Sequence, residues 1–264
     1  MHVLIVYTHP EPNSFNGAMK TAAAKHLRTL GHTVEISDLY AEGFDPAEKA
    51  AHYIDRVNPA LFTPLAEQRH AGRNGTLPDD VQREIDRIER ADLVLFQFPL
   101  WWHAQPAILK GWFDRVFVSG KLYTSSMRYD RGIFRGKRAV LSVTTGAPEA
   151  AFGPGGRGGD IELLLWPIQY SLHYVGFSVL EPFLSFSVAG HGYSYEDDRE
   201  KIERLEGYQD AWIARLSGIQ DETPLAFPGW ADWDDAGRLK PERTPETALR
   251  FRKHKPAAID ALNC

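Results

Sequence analysis

Cysteine is all but missing. One stands among 264 residues, and it is the last, Cys264. That excludes an intramolecular disulfide framework and a thiolate metal site, and it suits a reducing cytoplasm. Long apolar runs are missing too, since none approaches the roughly 20 residues a membrane-crossing helix needs. The chain opens directly into a strand-like run, Val3-Leu4-Ile5-Val6-Tyr7, without the pattern of a signal peptide. Positive charge is in deficit, with a formal net charge of −5, which argues against general affinity for nucleic acid. There is no G-x-S-x-G elbow, no H-E-x-x-H and no Cys/His cluster. The ten histidines are scattered, and no metal is expected. Many carboxylates fall on helix faces, where solvation accounts for them. Neither an internal repeat nor a low-complexity segment interrupts the chain.

What is present is enough apolar residue, 43%, for one large domain or a domain with an appendage. Aromatics reach 12%, with seven Trp. They suit a flat apolar ligand, and equally a large core or a dimer interface. Strand-like and helix-like segments alternate. Strands are expected at residues 2–8, 32–39, 93–100 and 139–144, with a fifth over 177–186. Helices are expected at 16–30, 78–91, from Pro106 through Val116, at 160–175 and at 196–216. Residues 44–75 read as polar and irregular, with short helical pieces at best.

This order predicts an α/β fold, a doubly wound five-stranded parallel sheet with strand order 2-1-3-4-5. The helix–strand alternation ends near residue 218, giving a body over 1–217 and an extended C-terminal tail over 218–264 rich in Pro, Trp and charge. In such sheets ligands bind beyond the carboxyl ends of the strands, where the order reverses. The loops over 8–16, 99–106 and 144–159 are therefore the ones to inspect.

The first loop runs Thr8-His9-Pro10-Glu11-Pro12-Asn13-Ser14-Phe15-Asn16. Asn13 or Ser14 can cap the helix that follows, and its free N–H groups attract phosphate. An ordinary capped turn is the plainer alternative. The loop lacks the Lys and Gly spacing of a P-loop. The second runs Phe98-Pro99-Leu100-Trp101-Trp102-His103-Ala104-Gln105-Pro106. Two Trp at the sheet's edge suit an aromatic-walled crevice for a planar ring, or packing against a partner subunit or the tail. His103 is a candidate general acid, although a lone loop histidine is more often a surface residue. The third loop contains a literal G-x-G-x-x-G at Gly153, Gly155 and Gly158. It does not directly follow a strand that starts a βαβ unit, so it is not taken as a dinucleotide fingerprint. It reads as a close-approach backbone around one cation, Arg157.

Longer stretches carry a family likeness. They include His9 with Ser14-Phe15-Asn16, Ser37-Asp38-Leu39-Tyr40, Phe96-Gln97-Phe98-Pro99-Leu100 and Pro106 through Phe117. Further on come Thr144-Thr145-Gly146, Leu165-Trp166-Pro167-Ile168-Gln169, Leu180-Glu181-Pro182 and Asp221-Glu222-Thr223-Pro224-Leu225. In this order, over roughly residues 1–228, the chain resembles the FAD-dependent NAD(P)H:quinone reductases of flavodoxin-like fold, the group of DT-diaphorase and its bacterial relatives. The tail after 228 matches poorly.

The resemblance implies FAD as cofactor, FMN being the weaker alternative, with NAD(P)H as co-substrate. His9, Ser14, Phe15 and Asn16 would hold the diphosphate and adenosine side. Pro99, Leu100, Trp101, Trp102 and His103 would line one edge of the ring system, with backbone N–H groups near N5. Thr144, Thr145, Gly146 and Ala147 would hold the pyrimidine edge, and Lys201 and Leu205 would lie near the adenine. Tyr123, Thr124, Tyr129, Phe152 and Tyr174 would belong to a substrate pocket completed across a homodimer interface, with Trp230 and Trp233 as its lid. The resemblance also implies ping-pong chemistry. A hydride passes from the nicotinamide to the flavin, and then to a quinone or similar planar acceptor.

Departures from the family fall in loop three and the pocket. A tyrosine and a histidine that stabilise the reduced flavin in the mammalian enzymes are Phe152 and Gly158 here. A second pocket tyrosine is Ser125, and the ring-edge phenylalanine after Trp102 is His103. Arg157 is a candidate to meet the charge of the reduced flavin, the backbone N–H groups of Gly146 and Ala147 being the alternative. Trp102, His103 and Arg157 are thus the candidate catalytic residues. Other readings are an azo- or nitro-compound reductase of the same fold, a regulatory oxidoreductase subunit of a potassium-efflux system, and a flavodoxin-like electron carrier. The carrier is disfavoured by the two-Trp loop.

Overall fold

The computed structural model describes residues 1–188 and 197–243. Its strands in chain order are β1 (His2–Tyr7), β2 (Thr33–Asp38), β3 (Leu93–Pro99), β4 (Arg138–Thr144), β5 (Ser178–Val179) and β6 (Phe183–Ser185). The helices are α1 (Phe15–Thr29), α2 (Pro64–Asn74), α3 (Asp79–Arg90), α4 (Ala107–Val116), α5 (Ile161–Tyr174) and α6 (Asp198–Leu216). The strand order is β2-β1-β3-β4-β5, with β6 also paired to β4. Every one of these pairings is parallel. This is the flavodoxin-like, doubly wound arrangement expected from the alternation of elements.

Period-two alternation decides which helix each strand residue meets. Val3, Ile5, Leu93, Leu95 and Val140 pack with Met19, Leu27, Trp212 and Leu216, from α1 and α6. Leu4, Val6, Val94, Phe96 and Leu141 pack with Ile85, Leu109, Trp112 and Leu165, from α3, α4 and α5. Both faces are covered, so β3 is buried along its whole length, as a central parallel strand must be. Glu84 lies within the second layer, 1% exposed. Its Oε2 accepts from Ser37 Oγ at 2.7 Å and Trp112 Nε1 at 2.8 Å, and Oε1 pairs with Arg87 at 2.5 Å. A buried carboxylate is tolerated only with such partners.

Two expectations are corrected. The segment expected to be irregular contains α2, an 11-residue helix with Pro64 in its first turn. Its buried face is Glu67, Gln68 and Ala71. Gln68 donates to Glu48 and Asp114, and Glu67 accepts from Arg56 and Val57. A helix seated through polar groups leaves no apolar stripe to read. The fifth strand is not continuous over 177–186. It is split into β5 and β6 around Leu180-Glu181-Pro182, where Pro182 has no N–H for a ladder.

The last helix begins at Asp198, and Glu196, placed in it from the sequence, lies outside the described residues. The tail is described to residue 243; its remainder, with Cys264, lies outside the described residues. Leu225 N–H bonds Val179 O, which fixes the start of the tail to the sheet. No helix among the described residues is long and apolar enough to cross a membrane.

Candidate active site

The loops after β1, β3 and β4 converge at the carboxyl edge of the sheet on a cleft of about 650 Å³. From the first come His9, Ser14, Phe15 and Asn16, and from the second Pro99, Leu100 and Trp101. The third contributes Thr144, Thr145 and Gly146, and α6 adds Lys201 and Leu205. Val188 completes the lining. It was not anticipated, because it belongs to no motif. Its N–H bonds Thr145 O at 2.9 Å, which brings it against the third loop.

Ser14 caps α1, its Oγ accepting from Gly17 N–H at 3.2 Å. A Cβ at position 17 would come within 1.9 Å of Pro12 O, so glycine is what lets the loop lie against the helix start. Among the described residues the N–H groups of Phe15 and Asn16 have no partner. Together with the end of the helix dipole they form an anion-receiving edge. His9 Nδ1 lies 3.0 Å from both the N–H and the carbonyl of Glu11, and its ring stands 5.9 Å from that of Trp101.

A chain of buried amides underlies the cleft. Gln97 Nε2 donates to Asn16 Oδ1 at 2.9 Å, and Asn16 Nδ2 donates to Thr144 Oγ1 at 2.8 Å. All three residues are at most 3% exposed. Because the Thr144 hydroxyl accepts from Asn16, its own proton is left to donate elsewhere.

The second loop makes a tight hairpin. Trp101 and Ala104 exchange both backbone hydrogen bonds, at 2.9 and 3.1 Å. Between them Trp102 (φ 49°) and His103 (φ 62°) are both left-handed. That is the geometry of a type I′ turn, which prefers Asn-Gly. A Trp-His pair there stores strain, a feature concentrated at functional sites. Trp102 is 95% exposed. The N–H groups of Leu100 and Trp101 are taken, by Thr144 O and Ala104 O. Those of Trp102 and His103 have no partner among the described residues, and neither do those of Gly146 and Ala147.

Trp102, His103, Ala147 and Arg157 do not line the cleft. Arg157 is exposed. His103 reaches the third loop, with its Cδ2 3.9 Å from the Cβ position of Gly159. Phe152 packs near Phe186, and a Cβ at Gly158 would lie 2.9 Å from Ala151 O and 3.0 Å from the Phe152 ring. The two departures in this loop are therefore coupled, since the loop folds onto Phe152 where position 158 has no side chain.

Apart from Phe152, the expected substrate residues lie together elsewhere in the chain. Tyr174 meets Tyr123 at 5.6 Å and Tyr129 at 5.2 Å, and Trp233 lies 4.6 Å from Tyr129. Thr124 Oγ1 accepts from Ser126 and Met127 N–H and shapes the turn. Tyr129, Tyr170, Trp230 and Trp233 wall a second cavity of about 580 Å³, with Arg128 and Lys240. It shares no lining residue with the cleft. His173, Arg128, Tyr170 and Phe227 were not singled out from the sequence. His173 stacks on Phe227 at 4.6 Å and donates from Nε2 to Pro228 O at 3.0 Å. Burial pushes its pKa below the ordinary 6.5, and burial raises that of Tyr170 to about 12.

Sheet order, cleft position and loop chemistry together define a flavodoxin-like protein. Residues 1–216 match the family described as flavodoxin-like fold. The chain is 45% identical over 226 residues to NAD(P)H dehydrogenase (quinone) 1 of Cavia porcellus, covering 85% of this chain and 79% of the relative. It is 40% identical over 233 residues to ribosyldihydronicotinamide dehydrogenase (quinone) of Homo sapiens, covering 88% and 96%. A Klebsiella pneumoniae structure assigned as a quinone reductase superposes with TM-score 0.83 at 35% identity, over 92% of this chain and 95% of that one. The chain belongs to the flavodoxin-like family, in the group of the NAD(P)H dehydrogenases (quinone). Azoreductase structures at 15% identity share the fold alone.

Proposed function

We propose that this chain is an NAD(P)H:quinone oxidoreductase that holds FAD in the cleft at the sheet edge. The observation that carries the reading is the pattern of donors around that cleft. Free N–H groups stand on lining residues Phe15, Asn16 and Gly146, and on Trp102, His103 and Ala147 in the same loops beside it, and the volume falls in the ~300–1,000 Å³ range of small-molecule sites. Bound flavin supplies two-electron hydride chemistry.

The residues divide the work. The start of α1 and His9 would hold the diphosphate. Leu100 and Trp101 line the cleft and would hold the ring, and the unpartnered N–H groups of Trp102 and His103 would be donors for its hydride-accepting edge. The amide chain from Gln97 fixes Thr144 as a donor. The unpartnered N–H groups of Gly146 and Ala147 would stabilise negative charge on a bound ring, an oxyanion-type role, with Arg157 as an auxiliary cation. Lys201 and Leu205 extend the cleft to α6, which favours a dinucleotide such as FAD over FMN.

Tyr123, Thr124, Tyr129, Tyr174, Trp230 and Trp233 complete the substrate pocket of a second copy in a homodimer, and Phe152 adds to the pocket from the third loop. Support comes from the separation of the two cavities within one chain and from Trp102 standing 95% exposed on a strained turn. Trp101 beside it is 40% exposed, and adjoining exposed apolar side chains suit an interaction surface. The test is release of the bound chromophore, identified by mass and counted per chain, with turnover measured on NADH, NADPH and a quinone. One FAD per chain with quinone reduction supports the reading. FMN overturns the choice of flavin, and no flavin after reconstitution overturns the function.

A further inference from the structure

Arg128 is half-buried in the wall of the second cavity. Its guanidinium lies 5.8 Å from the Tyr129 ring and 5.4 Å from each of the Tyr174 and Trp230 rings. NH2 donates to Ser125 O at 2.6 Å and NH1 to Tyr174 Oη at 3.2 Å. These are neutral acceptors. Nε is buried and has no partner, and among the described residues no carboxylate pairs with this cation. A guanidinium partly withdrawn from water is best satisfied by an anion beside it. The contrast with Arg115 makes the point, for that arginine, 2% exposed, has the carboxylate of Asp80.

The other charged groups around the cavity do not fill this role. Asp234 and Asp235 are exposed, and Asp234 Oδ1 is occupied by the N–H groups of Ala236 and Arg238. Asp130, also exposed, accepts from Trp230 N–H. Lys240 donates to Ala231 O and adds positive charge to the same wall. The result is a slot with aromatic walls, fit for a flat molecule, in which Arg128 NH1 and NH2 each keep one N–H for a charge-assisted hydrogen bond.

We propose that this pocket selects acceptors carrying a negative charge, such as sulfonated or ionised hydroxy-quinones, and that Arg128 is the specificity-determining residue. This rests on the reading of the chain as a quinone reductase. The reaction is unchanged: NAD(P)H, one proton and the quinone give NAD(P)⁺ and the hydroquinone, and the anionic substituent takes no part. A phosphate of the nicotinamide donor offers similar chemistry, so the test separates the two sources.

The experiment compares a naphthoquinone sulfonate with neutral naphthoquinone at fixed donor, using the flavin-loaded protein and its Arg128→Gln and Arg128→Lys variants. In Arg128→Gln the ratio of kcat/KM, sulfonate to neutral, is expected to fall roughly 10- to 100-fold, the scale of one charge-assisted hydrogen bond. The loss appears mainly in KM, and Arg128→Lys recovers part of it. A ratio within about threefold of wild type overturns the inference, and so does a loss that tracks donor phosphates when dihydronicotinamide riboside replaces NADH. Should Arg128→Gln fail to fold, wild-type inhibition decides. Naphthalene sulfonate should then bind at least tenfold more tightly than naphthalene sulfonamide, and equal inhibition overturns the proposal. Wild type that reduces neither quinone contradicts the parent reading, and the inference falls with it.

Discussion

Asn16 donates its side-chain amide to Thr144 Oγ1 across 2.8 Å, joining residues 128 positions apart in the chain. One bond thereby ties the start of α1 to the end of β4, the two sides of the cleft. Burial makes it sensitive, since a buried donor or acceptor left without its partner costs about 1–3 kcal/mol. Replacing Asn16 with Leu should weaken flavin binding about 10- to 100-fold, measured by fluorescence titration of the apoprotein. Gln97→Met, one step further from the cleft, should cost less. Equal and small effects in both would show that the chain of amides does not set Thr144.

Trp102 and His103 occupy two left-handed positions in succession. For residues with a Cβ that conformation costs roughly 1–2 kcal/mol each. The double change Trp102→Asn with His103→Gly should therefore raise stability by about 1–2 kcal/mol and slow turnover with quinone at least tenfold. Thermal melts paired with steady-state kinetics check it. A variant that is no more stable than wild type would show that the turn is unstrained.

His173 anchors the tail through Pro228 O and Phe227. Burial is the main cause of its lowered pKa, and the neighbouring Pro228 carbonyl and Asp130 act the other way. The unfolded chain therefore takes up this proton first as the pH falls. Stability from the neutral ring is complete above about 6.5 and is lost as the pH drops through the lower folded value. Urea unfolding at pH 8, 6.5 and 5 should show this loss in wild type and a shallower one in His173→Gln. Parallel slopes would remove His173 from the account.

Ile54 is 94% exposed and Leu61 62%, within the stretch before α2 that also exposes Val57, and Leu65 in the first turn of α2 is exposed beside them in sequence. If this apolar stretch is part of the homodimer surface, Ile54→Lys with Leu61→Lys should yield a monomer by sedimentation. Turnover should fall more than tenfold while each chain keeps its flavin. A fully active monomer would show that one chain suffices.

The cleft was legible because its chemistry sits on three loops whose flanking strands alternate cleanly. The apolar run of β3 marked where the second loop begins, and the Ser14 cap marked where the first one ends. Helix α2 was hidden by its buried Glu67 and Gln68, since hydropathy cannot tell a polar residue facing a partner from one facing water. The split of the fifth strand turned on Pro182, which the apolar residues either side of it outweighed. Val188 and Arg128 gain their positions only from tertiary contacts, to Thr145 and to the aromatic wall, and nothing in their local sequence points there. Trp230 and Trp233 were noticed, while their packing against Tyr129 needed the fold.

A single anaerobic cycle followed by absorbance tests the central claim most directly. The purified protein, loaded with FAD, is mixed with one equivalent of NAD(P)H and then with one equivalent of quinone. The account predicts complete bleaching at one donor per flavin, then complete recovery at one quinone per flavin, with no accumulating one-electron form. Flavin that stays oxidised with both nucleotides, or that passes electrons on one at a time, would contradict it.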